Sequence, residues 1–189
     1  MLNIHDVERT STIYGPGNRY VIWVQGCTLG CVGCWNTNMW SAEEKSMISV
    51  DFLLNDIQST ADIEGITLLG GEPMHQAMDL LRLCKTVKAM GLSIFLYTGF
   101  ELDELKKQEE KELLDLADII VCGRYDIQLR NTHLQWRGSS NQKVIFNTDR
   151  YAHYQLDDAN YCEVEIDEDG VITISGYPDK ELLNSMVKD

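Results

Sequence analysis

Three cysteines stand within eight residues of one another in the segment Gln25-Gly26-Cys27-Thr28-Leu29-Gly30-Cys31-Val32-Gly33-Cys34-Trp35-Asn36, spaced Cys-x3-Cys-x2-Cys. Thiolates this close must share a centre, and Gly26, Gly30 and Gly33 free the backbone to wrap it. Zinc and an iron-sulfur cluster are the two centres to weigh. A structural zinc site takes four ligands, commonly as two spaced pairs, and no Cys or His lies close after Cys34 to complete one. A cubane cluster ordinarily takes four cysteines, so three leave one iron open to a chelating ligand. Cys84, Cys122 and Cys162 sit singly among apolar neighbours, where cysteine behaves as a small hydrophobe.

A second segment, Leu69-Gly70-Gly71-Glu72-Pro73, closes an apolar run. Glycines there leave the backbone open to close approach, and Glu72 adds a carboxylate; alone, the same residues make an ordinary turn ahead of a helix. Arg137 with Gly138-Ser139-Ser140-Asn141 reads either as an anion- or peptide-binding loop or as a turn with Arg137 in a salt bridge. His5, His75, His133 and His153 have no metal spacing and read as surface or packing residues.

These residues need elements to position them. Apolar runs of strand length occur at Tyr20 to Gln25, Gly65 to Leu69, Leu92 to Tyr97 and Asp118 to Val121. Helical patterns fall between them at Val50 to Ile63, His75 to Met90 with Gly91 as the stop, and Leu102 to Leu116. Strands alternating with helices imply a parallel sheet with right-handed crossovers, and near-continuous apolar runs imply strands covered on both faces. The unusual residues follow the strands: Gly26 and Cys27, Gly70 to Pro73, Thr98 and Gly99, Gly123 and Arg124. Carboxyl ends of parallel strands are where such folds place their chemistry, so one shared site is expected. Past Asn147, Tyr161 to Ile166 and Gly170 to Gly176 read as a hairpin turning at Asp167 to Gly170, with a closing helix expected over Asp179 to Val187.

Composition narrows the partners. The formal charge is −14, and seven acidic residues lie between Asp157 and Asp169 without a Lys or Arg. Such a surface repels nucleic acid, and most of these carboxylates read as a solvated face. No apolar run is long enough to span a bilayer and no signal peptide is evident, so a cytoplasmic protein without a membrane partner is expected. In that compartment six cysteines point to metal or catalysis rather than disulfides.

The Cys-x3-Cys-x2-Cys spacing followed by the aromatic Trp35, together with Gly70-Gly71-Glu72-Pro73, resembles the signature of the radical S-adenosylmethionine superfamily. The resemblance implies a 4Fe-4S cluster held by Cys27, Cys31 and Cys34. It also implies S-adenosylmethionine chelated to the open iron and contacted by Gly33, Cys34, Trp35, Asn36, Gly70, Gly71, Glu72, Pro73 and Thr98. Reductive cleavage would then release methionine and a 5'-deoxyadenosyl radical; no side chain is assigned as a catalytic acid or base.

Further segments bring the chain nearest to the small glycyl radical activases of anaerobic ribonucleoside-triphosphate reductase. They are Gly15-Pro16-Gly17-Asn18-Arg19, Tyr97-Thr98-Gly99-Phe100 with Leu102-Asp103-Glu104-Leu105, Cys122-Gly123-Arg124-Tyr125-Asp126, and Trp136-Arg137-Gly138-Ser139-Ser140-Asn141-Gln142. The resemblance implies an incomplete (β/α) barrel of the TIM-like, radical S-adenosylmethionine type, with the C-terminal β-hairpin and short helix added. Residues 1–150 would form the barrel domain and residues 151–189 an acidic extension packed on it. The implied partners are a glycyl radical enzyme, anaerobic ribonucleotide reductase first among them, and a flavodoxin or ferredoxin-type reductant. Tyr14, Trp35 and Cys122 depart from the residues common at those places in the family. Two other functions stay open: the same radical chemistry on a small molecule or another peptide, and a non-catalytic metal or electron-transfer module.

Overall fold

The computed structural model describes residues 1–159, 161–176 and Asn184. Seven strands form one mixed sheet. β1 (Leu2–Ser11), β2 (Arg19–Val24), β3 (Ser46–Ile48), β4 (Gly65–Gly70), β5 (Ser93–Thr98), β6 (Ile119–Cys122) and β7 (Lys143–Phe146) lie in the order β3-β1-β2-β4-β5-β6-β7. The central β2, β4, β5 and β6 run parallel, and β1 and β7 flank them antiparallel. The parallel strands match the four apolar runs to within a residue or so at each end. β1, β3 and β7 were not expected. β1 buries Leu2 and Ile4 and then turns polar at His5, Asp6 and Glu8, so no apolar run betrays it, while β3 and β7 are only three and four residues long. The expected parallel sheet is therefore a mixed one whose strand order does not close on itself.

Three helices make the crossovers: α1 (Val50–Ser59), α2 (Ala77–Ala89) and α3 (Gln108–Leu116). Ser49 caps α1 by accepting from the Phe52 N–H at 3.1 Å, and Gly91, at φ +81°, ends α2 as the sequence suggests. The span Leu102 to Leu116 is not one helix. Leu102–Glu104 forms a 3-10 turn, after which Glu110 accepts from the backbone N–H groups of Lys106 and Lys107, starting α3 afresh. Leu53 and Ile57 of α1, Leu80, Cys84 and Val87 of α2 and Leu113 of α3 pack on Ile22, Ile66, Leu68, Ile94, Leu96 and Ile120. Side chains alternate across a strand, so neighbours in the sheet face the other way. There Phe95, Ile119 and Val121 meet Trp136 and Tyr151 in a smaller cluster.

Arg19, of the Gly15-Pro16-Gly17-Asn18-Arg19 segment, is fully buried at the start of β2. It donates to Thr67 Oγ1 (3.0 Å), Ser93 Oγ (2.6 Å) and the Ile66 carbonyl, so this segment ties the amino ends of the strands rather than serving the opposite end.

β8 (Cys162–Ile166) and β9 (Ile172–Gly176) pair as the expected hairpin, and Asp167 Oδ1 accepts from the Asp169 and Val171 N–H groups across the turn. The hairpin is held to β1: Glu163 accepts from Ser11, from Thr12 Oγ1 and from the Thr12 N–H, and the Gly176 N–H donates to Tyr14 Oη at 3.0 Å. The helix expected over residues 179–187 lies outside the described residues, Asn184 excepted.

Candidate iron-sulfur and cofactor site

The loop leaving β2 is anchored at both ends by main chain. The Gly26 N–H donates to the Met39 carbonyl (2.8 Å), the Cys27 N–H to the Trp40 carbonyl (3.1 Å), and within the loop the Cys34 N–H closes a turn on Cys31 (3.1 Å). Gly26, Gly30 and Gly33 all take positive φ, which an L side chain rarely adopts, as the sequence suggests. Cys27, Cys31 and Cys34 are free thiols, partly exposed, and all three line one cavity of about 800 Å³. Burial is the first cause that pushes the Cys27 and Cys31 thiols up. Neighbouring charges add to it, first that of Glu72 and then those of Cys31 and Cys34 at Cys27, and that of Cys34 at Cys31. Opposing this, the Leu29 N–H points at Cys27 and the Tyr125 N–H at Cys31.

The Gly70-Gly71-Glu72-Pro73 turn leaves β4 against the root of this loop. The Gly71 N–H donates to the Val24 carbonyl (2.8 Å) and the Glu72 N–H to the Gly26 carbonyl (2.9 Å). A Cβ at Gly71 would stand 2.5 Å from the Gly26 oxygen, so close backbone approach already demands this glycine. Asn36 Nδ2 donates to the Gly70 carbonyl at 3.4 Å, joining the far end of the cysteine loop to the same turn.

Glu72 is 1% exposed and its carboxylate is thoroughly engaged. Oε1 accepts from the Met74 N–H (3.0 Å) and Thr98 Oγ1 (2.8 Å), and Oε2 from the Gly99 N–H (2.8 Å). Burial pushes its pKa up to about 7, while these donors hold it down. It therefore locks the ends of β4 and β5 together.

Of the residues singled out from the sequence, Cys27, Cys31, Cys34, Trp35, Asn36, Gly70, Gly71, Glu72 and Thr98 line the cavity; Gly33 and Pro73 do not. Gly33 sits under Ile127, and Pro73 is buried at the start of a 3-10 turn. Trp35 is 60% exposed, with the Arg130 guanidinium 5.6 Å from its ring centroid, so it is not a core tryptophan. The Arg137 loop is a turn without the expected salt bridge, and Arg137 Nε is buried without a hydrogen-bond partner among the described residues. Its Gly138 and Ser139 N–H groups are taken by Gln142 Oε1 at 2.9 and 3.2 Å, and Arg137 makes no ion pair among the described residues.

Sequence reasoning missed two walls of the cavity. Glu8 and Tyr14 come from β1 and the segment after it, and Tyr161, Glu165 and Thr173 from the hairpin. Alternation of Leu2 and Ile4 with polar residues was the available sign of β1; nothing local shows that the hairpin folds over the cavity. Trp136 was noted only within its segment. It is buried at φ +61°, 5.0 Å from both the Phe95 and Tyr154 ring centroids, and lines the cavity as well.

The donor set fits a cluster. Three thiols line the cavity, and none of Cys84, Cys122 and Cys162 lines it to supply a fourth. A glycine turn and an exposed aromatic ring on the adjoining walls leave room for a larger ligand. Site and fold together define a mixed α/β protein with three free thiols gathered on one cavity at the carboxyl ends of its parallel strands.

The family model described as "4Fe-4S single cluster domain" matches residues 13–145. The anaerobic ribonucleoside-triphosphate reductase-activating protein of Escherichia coli (strain K12) is 34% identical over 151 residues, 76% of this chain and 97% of that protein. The protein of the same name from Enterobacteria phage T4 is 34% identical over 158 residues, 78% of this chain and 96% of that one. The solved structure of QueE from Escherichia coli overlaps 52% of this chain and 51% of its own at 23% identity and a TM-score of 0.39, too slight a likeness to bear on the fold. The chain belongs to the 4Fe-4S single-cluster domain family, together with the anaerobic ribonucleoside-triphosphate reductase-activating proteins, and that membership carries a 4Fe-4S cluster. No helix among the described residues is long and apolar enough to cross a membrane.

Proposed function

We propose that this protein activates a glycyl radical enzyme, an anaerobic ribonucleotide reductase, by radical S-adenosylmethionine chemistry. The observation that carries the reading is the convergence of three free thiols and the Gly70-Gly71-Glu72 turn on one cavity. A 4Fe-4S cluster and S-adenosylmethionine held there would supply one-electron cleavage of the sulfonium into methionine and a 5'-deoxyadenosyl radical.

The chain's own residues bind, orient and exclude water. Cys27, Cys31 and Cys34 would hold the cluster. Gly70 and Gly71 would offer backbone oxygens to the cofactor's ammonium, and Glu72 fixes that turn through Thr98 and Gly99. Trp35 and Asn36 would contact the nucleoside. The sheet face bearing Trp23, Leu69 and Tyr97 walls the cavity from water and acts as the inside of a partial barrel. A glycine of the partner, reaching through the open side, gives up one α-hydrogen atom to the radical and keeps the unpaired electron. Residues 1–150 carry the thiols and the glycine turn, and the segment from residue 151 is an acidic extension whose hairpin adds a wall to the cavity. Electrons come from a flavodoxin or ferredoxin-type carrier, and the site of action is the cytoplasm.

The test is anaerobic. Reconstituted protein with dithionite and S-adenosylmethionine is expected to form 5'-deoxyadenosine, and addition of the reductase to give the doublet of a glycyl radical in electron paramagnetic resonance. Cleavage without a radical on the reductase would transfer the chemistry to another substrate. Absence of cleavage would leave a passive metal module.

A further inference from the structure

The acidic residues of this strongly negative chain avoid two stretches: no Asp or Glu occurs between Arg9 and Ala42, or between Ile127 and Thr148. The fold brings these stretches together at the cysteine loop. Ile127 packs on Gly33, where a Cβ would stand 2.4 Å from its Cδ1, and Arg130 lies over Trp35. On the outer surface of the two loops Val32 is 76% exposed, Ile127 47% and Leu129 44%, and none of them lines the cavity. Single exposed apolar residues need no explanation, but three on adjoining loops make a patch. Arg130 is exposed at its rim and makes no ion pair among the described residues. The nearby acids are occupied: Glu104 is held by both terminal nitrogens of Arg124 at 2.6 and 2.9 Å, and Asp126 accepts from the Gln128 N–H.

The cavity and this patch are adjoining approaches to the same thiols and share Arg130 at their common rim. A radical acceptor has to enter the cavity, whereas an electron donor needs only to come close to the cluster loop, because electron tunnelling falls steeply with distance. Val32 stands between two ligating cysteines, so this outer surface is the loop's own skin.

We propose that Val32, Ile127 and Leu129, with Arg130 at the rim, form the docking face for a small acidic one-electron carrier protein. The proposal rests on the activase reading for the need for electrons and on the charge distribution for the place. An acidic carrier is repelled by most of this protein's surface and is accepted where carboxylates are missing. In each encounter the carrier is oxidised by one electron and the cluster reduced by one; no bond or proton changes hands.

Oxidised flavodoxin is the probe. Its binding to the anaerobically reconstituted full chain is measured at low and high salt for wild type, Leu129→Glu, Gln128→Glu and Met78→Glu. Met78, 68% exposed on α2, is the remote control. Leu129→Glu is expected to weaken binding about tenfold, Gln128→Glu to weaken it in the same direction, and Met78→Glu to change it less than about twofold. Added salt screens the introduced carboxylates and narrows the gap between wild type and the two loop variants. Iron content and dithionite-driven cleavage stay level across the set. Equal binding by all four proteins overturns the proposal. So does a Leu129→Glu protein that binds flavodoxin normally and loses the reductase instead. Absence of dithionite-driven cleavage in the wild type sinks the activase reading, and the binding comparison still decides the docking face.

Discussion

Glu72 shows how a motif residue can be recognised from sequence and its physical task still be misjudged. The sequence offers it as a carboxylate for the cofactor's ammonium, yet in the fold its two oxygens already serve three donors from Met74, Thr98 and Gly99. Its first task is to hold two strand ends in register around the cavity. Glu72→Ala strands those donors in a buried place, and each unsatisfied group costs about 1–3 kcal/mol. We expect a thermal midpoint lowered by several degrees or more and a fall in bound iron, both measurable on the reconstituted protein; unchanged stability would show that water replaces the carboxylate. The cysteines, by contrast, could be singled out by their spacing alone. Three thiols at this spacing have few uses, and the structure adds only that their side chains share one cavity.

At the scale of elements, strands β2, β4, β5 and β6 and helix α2 could be read from apolar runs and helical periodicity, because burial on both faces leaves a strong pattern. β1 could not, since only its first residues reach the core. The placing of the hairpin was also hidden, because it depends on Glu163 meeting Ser11 and Thr12 far away in the chain. That contact makes the hairpin pH-sensitive. Glu8, on β1 beneath it, is pushed up to about 7 first by burial, then by the charges of Glu163, Glu165 and Asp6. A carboxyl that holds its proton more tightly when folded stabilises the fold fully below its unfolded value of 4.5, and the contribution is lost as pH rises through about 7. Amide exchange in β8 and β9, corrected for its intrinsic pH dependence, should be slower at about pH 6 than at about pH 8, and Glu8→Gln should flatten the difference. Equal protection at both pH values in the wild type would contradict this. The β4 turn has a sharper constraint: Gly71→Ala places a methyl against the Gly26 oxygen and should reduce iron retention, even though residue 71 ligates nothing. An alanine variant that keeps full iron would mean that the strand ends can part.

The whole molecule divides its labour by strand end. Buried Arg19 and its partners close the amino ends, and the cysteine loop, the Gly70-Gly71 turn and Thr98 gather at the carboxyl ends, as parallel α/β sheets dictate. The expectation of one shared site came from that rule and fits the cavity; which further walls enclose it was set by long-range packing that no local pattern records. Everything proposed depends on three thiolates leaving one iron free for S-adenosylmethionine. Electron paramagnetic resonance of the anaerobically reduced protein, with iron and sulfide counted on the same sample, tests this most directly. The account predicts about four irons per chain and a reduced-cluster signal whose g-values shift when S-adenosylmethionine is added. A signal indifferent to S-adenosylmethionine, or a single zinc ion in place of iron and sulfide, would contradict it.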